Sequence, residues 1–548
     1  MSDELKGSLK EEPGGALPVL FAVLIGGAGT MTVELAAVRL LAPWYGTSLS
    51  VWTNVIAVVL LALALGYAIG GRLSSRPHPF QRLGLALGCA CLWTSLLPSI
   101  ASWVAPAFVP DGLVLSAAAD VVLWGSLATS LALFFVPAAL LGTVTPLGVQ
   151  AVQLRSGGSA GGAGGTVFAA GTLGSLFGVF GTSHFLLPNF GLRGTFFFAA
   201  TALGCASLVA LFSRGMAGKT RVGGVLLLLS AAGFGVSVAP TPIGAADGTT
   251  LLAARESSYQ SLRIVEDTTY GPEPMRFLQV NEGLNSYQSA WQYDYGLLPK
   301  GFYYNDFALP LWWDRARTDW EVLVLGLGGG TAFRVLQGAA PEDVALHLTG
   351  VELDEGVVEL AREFLDLEED GPDLRVLAGM DARVVLEAYD KDLDLVILDC
   401  YSNQVEIPAH LATAEFFEAV AAKLRSGGWL LANLGGFGLD DPVVQAVAES
   451  AAFGFGGDVL LLRVPQARNL TLIARWDAPL PVDGSLQPIP IGGPLAGRVA
   501  PLALPGAMAL VPVPSGGPPL TDNHAPLEQL QMRSIREARE RRLGGDQE

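Results

Sequence analysis

The 548-residue chain is short of charge: 15% of its residues are Asp, Glu, Lys or Arg, against roughly a quarter in ordinary soluble domains. Basic residues are scarcer than acidic ones, 33 against 51, giving a formal net charge of −18. Nucleic-acid binding needs clustered Lys and Arg to meet phosphates, so that class is excluded. An acidic surface suits cationic partners, polyamines included. Cysteine is rare too. Cys89, Cys91 and Cys205 lie in apolar stretches and Cys400 stands alone, which leaves no disulfide framework and no zinc spacing, and no metal is expected. What the chain has instead is apolar residues, 51% of the total with a mean hydropathy of +0.44. Its length points to two or three domains.

The apolar residues are concentrated before residue 240. Residues 1–16 read as a polar tail, followed by about seven spans at 17–41, 51–71, 83–104, 120–142, 166–187, 195–212 and 222–239. Each is near the ~20 residues that cross ~30 Å of hydrocarbon. Residues 17–240 therefore predict a helical membrane bundle with the lipid bilayer as a partner. The fifth span carries Gly171, Gly174, Gly178 and Gly181 at helical spacing, a smooth face for close helix contact. The Ser156–Gly162 run before it reads as a flexible loop. Glu34, Arg39, Asp120 and His184 are ionisable groups within or at the ends of spans, where pairing or snorkelling competes with a functional role. Arg72, Arg76 and Arg82 after span two, with Arg214, Lys219 and Arg221 after span six, place those loops inside. Seven full crossings would then leave the C-terminal half outside. The expectation is that the short seventh span does not fully cross, so that the protein sits in the inner (plasma) membrane with its C-terminal domain cytoplasmic.

Beyond residue 250 the pattern changes. Residues 251–320 form a small β-rich lead-in, with a hairpin expected from Ser261–Asp267 and Met275–Val280 around the Thr269-Tyr270-Gly271-Pro272 turn. Residues 321–548 alternate strand and helix: Val322–Leu325, Thr331–Gln337, His347–Leu353, Gly356–Leu365, then strands at Leu374–Leu377 and Leu393–Leu398 and a helix over Thr413–Leu424. Ser426-Gly427-Gly428 is read as ending that helix, before a strand at Trp429–Leu434. Such βα alternation predicts a parallel, doubly wound sheet. Gly326-Leu327-Gly328-Gly329-Gly330 after the first strand and Glu352 at the end of the second make a nucleoside-binding half-fold. The turn lacks the Lys-Ser/Thr pair of a phosphate loop and is a poor pyrophosphate fingerprint, so ATP and NAD are disfavoured.

Several ordered motifs over about 220 residues carry a resemblance. They are Glu256-Ser257-Ser258-Tyr259-Gln260, the glycine turn, Val351-Glu352-Leu353-Asp354, Met380-Asp381-Ala382 and Leu398-Asp399-Cys400-Tyr401-Ser402. Pro408–Phe417 and Leu520–Glu528 continue it. Together they resemble the spermidine synthase family of aminopropyltransferases, and the whole chain resembles bacterial members fused to a multispan membrane domain. The fold so implied is a helical membrane bundle followed by an α/β Rossmann-like domain of the class I methyltransferase type. The resemblance implies decarboxylated S-adenosylmethionine as co-substrate, no prosthetic group, and a putrescine-like amine as acceptor, with a homodimer left open. Gln260, Gly326, Gly328, Gly329, Glu352 and Asp381 fall on co-substrate-binding positions, Glu352 towards ribose and Asp381 towards adenine. Asp399 falls on the catalytic position, where a carboxylate can orient an ammonium and help remove its proton. Tyr259, Tyr304 and Asp306 are candidates on the amine side.

Three departures bear on the amine. The glycine turn lacks the family's aspartate, Ser402 stands where a second aspartate is usual, and Tyr304-Asn305-Asp306 replaces a Tyr-His-Glu triplet. Nucleoside binding is therefore expected to be better kept than putrescine recognition. Two further functions stay open: a methyltransferase-like enzyme on the same fold, and a polyamine transporter or sensor with a non-catalytic soluble domain.

Overall fold

A computed structural model describes residues 15–45, 49–108, 121–212 and 248–545, apart from 258, 271–272, 281–286, 294–295, 300, 369, 372, 402–406 and 516–518. The chain divides into two compact units, a helical one before residue 244 that also takes in Glu256–Gln260, and an α/β one formed essentially by the remainder.

The helical unit contains α1 (Leu17–Tyr45), α2 (Leu49–Ser74), α3 (Pro79–Ala107), α4 (Ser126–Gly142), α5 (Val144–Ser156), α6 (Ala160–Gly181) and α7 (Leu187–Phe212). The described residues hold six helical stretches long and apolar enough to cross a membrane, α4 and α5 together forming one of them. The seventh expected span, 222–239, lies outside the described residues, as does Asp120. The glycine stripe acts where it meets α1. A Cβ at Gly174 would fall 1.9 Å from the Leu24 carbonyl oxygen, and one at Gly178 2.4 Å from that of Ala28. Any side chain there would force the two backbones apart, so the missing Cβ sets the α1–α6 distance. Gly181 meets nothing. The expected loop is shorter than the Ser156–Gly162 run: it covers Gly157–Ser159, Ser159 caps α6 by accepting from the Gly162 amide, and Ala160 to Gly162 already belong to that helix.

The α/β unit has two sheets. The smaller is four-stranded, β1 (Thr249–Glu256), β2 (Ser261–Asp267), β3 (Met275–Val280) and β4 (Ser289–Gln292), in sequential order. β2 and β3 form the expected antiparallel pair, with Leu262 opposite Val280. The larger sheet contains β5 (Asp319–Leu325), β6 (Ala345–Glu352), β7 (Asp370–Gly371), β8 (Leu374–Ala378), β9 (Leu393–Leu398), β10 (Leu424–Gly435), β11 (Val459–Arg463), β12 (Asn469–Arg475) and β13 (Met508–Val511). Its order is β13-β11-β12-β10-β9-β5-β6-β8-β7. The run from β8 to β10 is parallel. β12 enters antiparallel beside β10, and β7 and β13 pair antiparallel at the two margins, so the sheet is mixed rather than wholly parallel. Ser426-Gly427-Gly428 lies inside β10 at a register shift and does not follow the helix directly, because that helix already ends at Lys423.

Central strands are buried on both faces, which is why β9 is apolar at every position but Asp394. Alternate residues feed opposite cores. Leu323, Leu325, Val396 and Leu398 pack with Phe416, Phe417 and Val444, whereas Val322, Val324, Leu395 and Ile397 pack with Phe307, Phe333 and Leu336. From β5 the chain builds outward through β6 to β8, then returns to place β9 on the other side of β5. That reversal opens a crevice at the carboxyl ends of β5 and β9, the place where doubly wound sheets bind ligands.

Candidate active site

The crevice is built by chain segments that approach closely. Gly326 has φ +84°, and a Cβ there would lie 2.3 Å from the Asp399 carbonyl oxygen; only glycine lets the turn after β5 pass the end of β9. The Asp399 amide donates to the Leu325 carbonyl at 2.8 Å, which fixes the aspartate at the switch point. On the other side, Glu352 at the end of β6 accepts from the Gly328 amide (2.9 Å) and the Asp354 amide (3.0 Å). Burial raises its pKa above the ordinary value, with these two amides pulling the other way. A third support comes from β4: Ser289 Oγ accepts from the Gly329 amide at 2.7 Å and donates to the Gln288 carbonyl. The glycine turn is thus held in shape by one carboxylate and one hydroxyl.

Asp399 is the chemical centre of this arrangement. Tyr303 donates its hydroxyl to both carboxylate oxygens, at 3.0 and 3.2 Å. Asn433 on β10 donates to Oδ1 at 2.8 Å and in turn accepts from Asn469 on β12. Burial pushes the Asp399 carboxyl up to about 7, the Asn433 and Tyr303 hydrogen bonds offset part of that, and the Glu352 charge adds to it. Its hydrogen-bond partners among the described residues are neutral, so no cation offsets the effect of burial. Burial also raises the Tyr303 phenol far above its usual range, keeping it a donor. Beyond Tyr303 stand four aromatic rings, Tyr270, Phe277, Tyr287 and Phe302, with centroids 5.0–6.4 Å apart.

The other expected residues are distributed differently. Asp381 caps the helix Ala382–Ala388, its Oδ1 accepting from the Arg383 and Val384 amides, while Oδ2 lies 3.1 Å from His410 Nε2. Tyr304 donates to the Gln288 carbonyl and not to Asp399, because the turn that carries it points its neighbour Tyr303 into the crevice. Asp306 is fully buried and is held by Arg498 at 2.5 and 2.7 Å and by the Thr471 hydroxyl at 2.6 Å. It anchors the C-terminal extension instead of facing the crevice. Tyr259 and Gln260 lie in the turn between β1 and β2, closed by the Ser257 hydroxyl; no hydrogen bond ties their side chains to Asp399 among the described residues. Ser402 lies outside the described residues. The Leu520–Glu528 motif docks through Asp522, which takes both guanidinium nitrogens of Arg383 at 2.6 Å and the Thr413 hydroxyl at 2.8 Å. Sequence reasoning missed Tyr303, Asn433 and Ser289. A hint existed for Asn433, a polar residue inside the apolar Trp429–Leu434 strand; Tyr303 and Ser289 offered none.

Residues 315–473 match the model of the spermine/spermidine synthase domain family, and the matched stretch holds Asp399, Glu352 and Asn433. A curated relative, the "Probable polyamine aminopropyl transferase" of Bifidobacterium longum (strain NCC 2705), is 30% identical over 203 residues, 36% of this chain and 43% of that protein. The chain thus spans less than half of this relative's length. Solved structures with similarity include a probable spermidine synthase from Corynebacterium glutamicum ATCC 13032, at 18% identity, covering 48% of this chain and 96% of that one with a TM-score of 0.38. The spermidine synthase from Thermotoga maritima aligns at 17% identity over 42% of this chain and 73% of its own, with a TM-score of 0.33.

Proposed function

We propose that the α/β unit transfers an aminopropyl group from decarboxylated S-adenosylmethionine to an amine, and that the helical unit anchors it in a membrane with the α/β unit on the cytoplasmic side. The observation that carries this reading is Asp399: a half-buried carboxylate at the switch point, titrating near 7 and oriented by neutral donors. An acceptor amine is protonated in water and cannot attack. Asp399 orients it and takes its proton. The freed lone pair then forms a bond to the methylene carbon beside the sulfonium. The carbon–sulfur bond breaks, and its electrons return to sulfur, leaving neutral methylthioadenosine. Glu352 and the glycine turn hold the nucleoside, with Gln260 and Asp381 supporting it by resemblance. The aromatic rings beside Tyr303 offer faces to an alkylammonium.

The experiment is to incubate the full-length protein with decarboxylated and intact S-adenosylmethionine and a panel of amines, and to identify the released nucleoside. Methylthioadenosine is expected. S-Adenosylhomocysteine would replace aminopropyl transfer with methyl transfer.

A further inference from the structure

From the helical unit we infer a second binding site, one for an alkylammonium, in a place that the transferase reading does not use. A cavity of about 210 Å³ lies between α1, α2, α5 and α6, with Leu141 of α4 also on its wall. That is several times the ~30 Å³ share of one water. Its polar lining consists of Thr30, Tyr67, Thr145, Thr172 and Ser175, and none of its lining residues is Lys, Arg or His.

The hydrogen bonds of the lining select the ligand. Thr30 donates its hydroxyl proton to the Gly26 carbonyl at 2.9 Å, and Ser175 donates its own towards the Gly27 carbonyl at 3.4 Å. With those protons engaged, both oxygens present lone pairs to the cavity. The α1 wall follows helical spacing, Val23, Gly27 and Thr30, and the next position on that face is Glu34. Glu34 is half-buried, and no hydrogen bond or ion pair holds it among the described residues. An acid placed in an apolar bundle is costly, and such a group defaults to a functional role. A cavity rich in acceptors, lined by no cationic side chain, with a carboxylate one helical turn further along its α1 face, favours a cationic donor. Its volume favours a chain of several heavy atoms over a compact inorganic ion, and the Tyr67 ring adds a face for the cation.

The test uses the full-length protein in phosphatidylcholine nanodiscs, with n-propylammonium and 1,4-diaminobutane as probes in equilibrium dialysis. Glu34→Gln is expected to weaken binding at least about tenfold, the usual scale for losing a charged hydrogen bond. Thr30→Val should weaken it several-fold, and Glu34→Asp should keep most of it. Turnover by the α/β unit, measured on the same preparations, should not change, so loss of this site and failure of the transferase reading give different results. Where Glu34→Gln does not fold, Thr172→Val takes its place. Unchanged affinity in both Glu34→Gln and Thr30→Val overturns the site. Displacement of the probes by sodium at equal concentration overturns the alkylammonium assignment.

Discussion

Asp399 and Asp306 are two aspartates in the same unit, the first half-buried and the second fully buried, with opposite surroundings. Asp306 meets the guanidinium of Arg498 and the Thr471 hydroxyl, so its charge is cancelled and its oxygens are occupied. Among the described residues Asp399 meets only a phenol and an amide, and its carboxyl is pushed up to about 7. A carboxylate with a cationic partner is part of the framework, whereas one with only neutral partners is poised to gain or lose a proton. The contrast lies in the partners, not in the residue type.

The sharpest break of that contrast is Asp399→Asn. Turnover should fall by about 10²–10⁴-fold, the usual worth of general-base help, while nucleoside binding persists. The folded pKa lies above the unfolded value, so the folded state holds a proton that the unfolded state releases. The stability contributed by Asp399 is therefore present below about pH 4, declines between about pH 4 and 7, and is lost above it. Asp399→Asn should accordingly melt no lower than the parent at pH 8, and a clear drop in melting temperature there would make Asp399 a framework acid. Asp306→Asn should do the reverse. It leaves the Arg498 charge buried without its counter-ion, at a cost of about 3–5 kcal/mol, read as a lower urea midpoint with turnover per folded molecule retained.

Glu352→Gln is expected to weaken methylthioadenosine binding about tenfold by calorimetry, since one amide oxygen cannot serve both the Gly328 and Asp354 amides and the ligand as well. Unchanged affinity would leave Glu352 as a brace for the glycine turn alone. The smallest effect is expected from Asn433→Leu. Its hydrogen bond favours ionised Asp399, so removing it raises the pKa further and moves the acid limb of the pH–rate profile above about 7. Activity lost at pH 7 should return at higher pH. A limb that stays in place would detach Asn433 from the proton transfer.

Local pattern carried much of the architecture. The six described apolar spans, the β2–β3 hairpin and the βα alternation from Asp319 to Lys423 follow from local pattern, because burial of one helix face or of both strand faces writes itself into neighbouring residues. The position of Asp399 at a strand end was likewise legible. The antiparallel insertion of β12 was not, since pairing direction depends on where a strand lands rather than on its own composition. Tyr303 and Tyr304 are adjacent and chemically identical, and only the turn carrying them decides which hydroxyl reaches Asp399. Asp306 looked like a ligand residue until Arg498, 192 positions later, proved to occupy it. The sequence by itself determined which segments are buried and which acids end strands, because those depend on near neighbours. Tertiary structure alone decided which acid is paired with a cation and which meets neutral donors, because those partners lie far away in the chain.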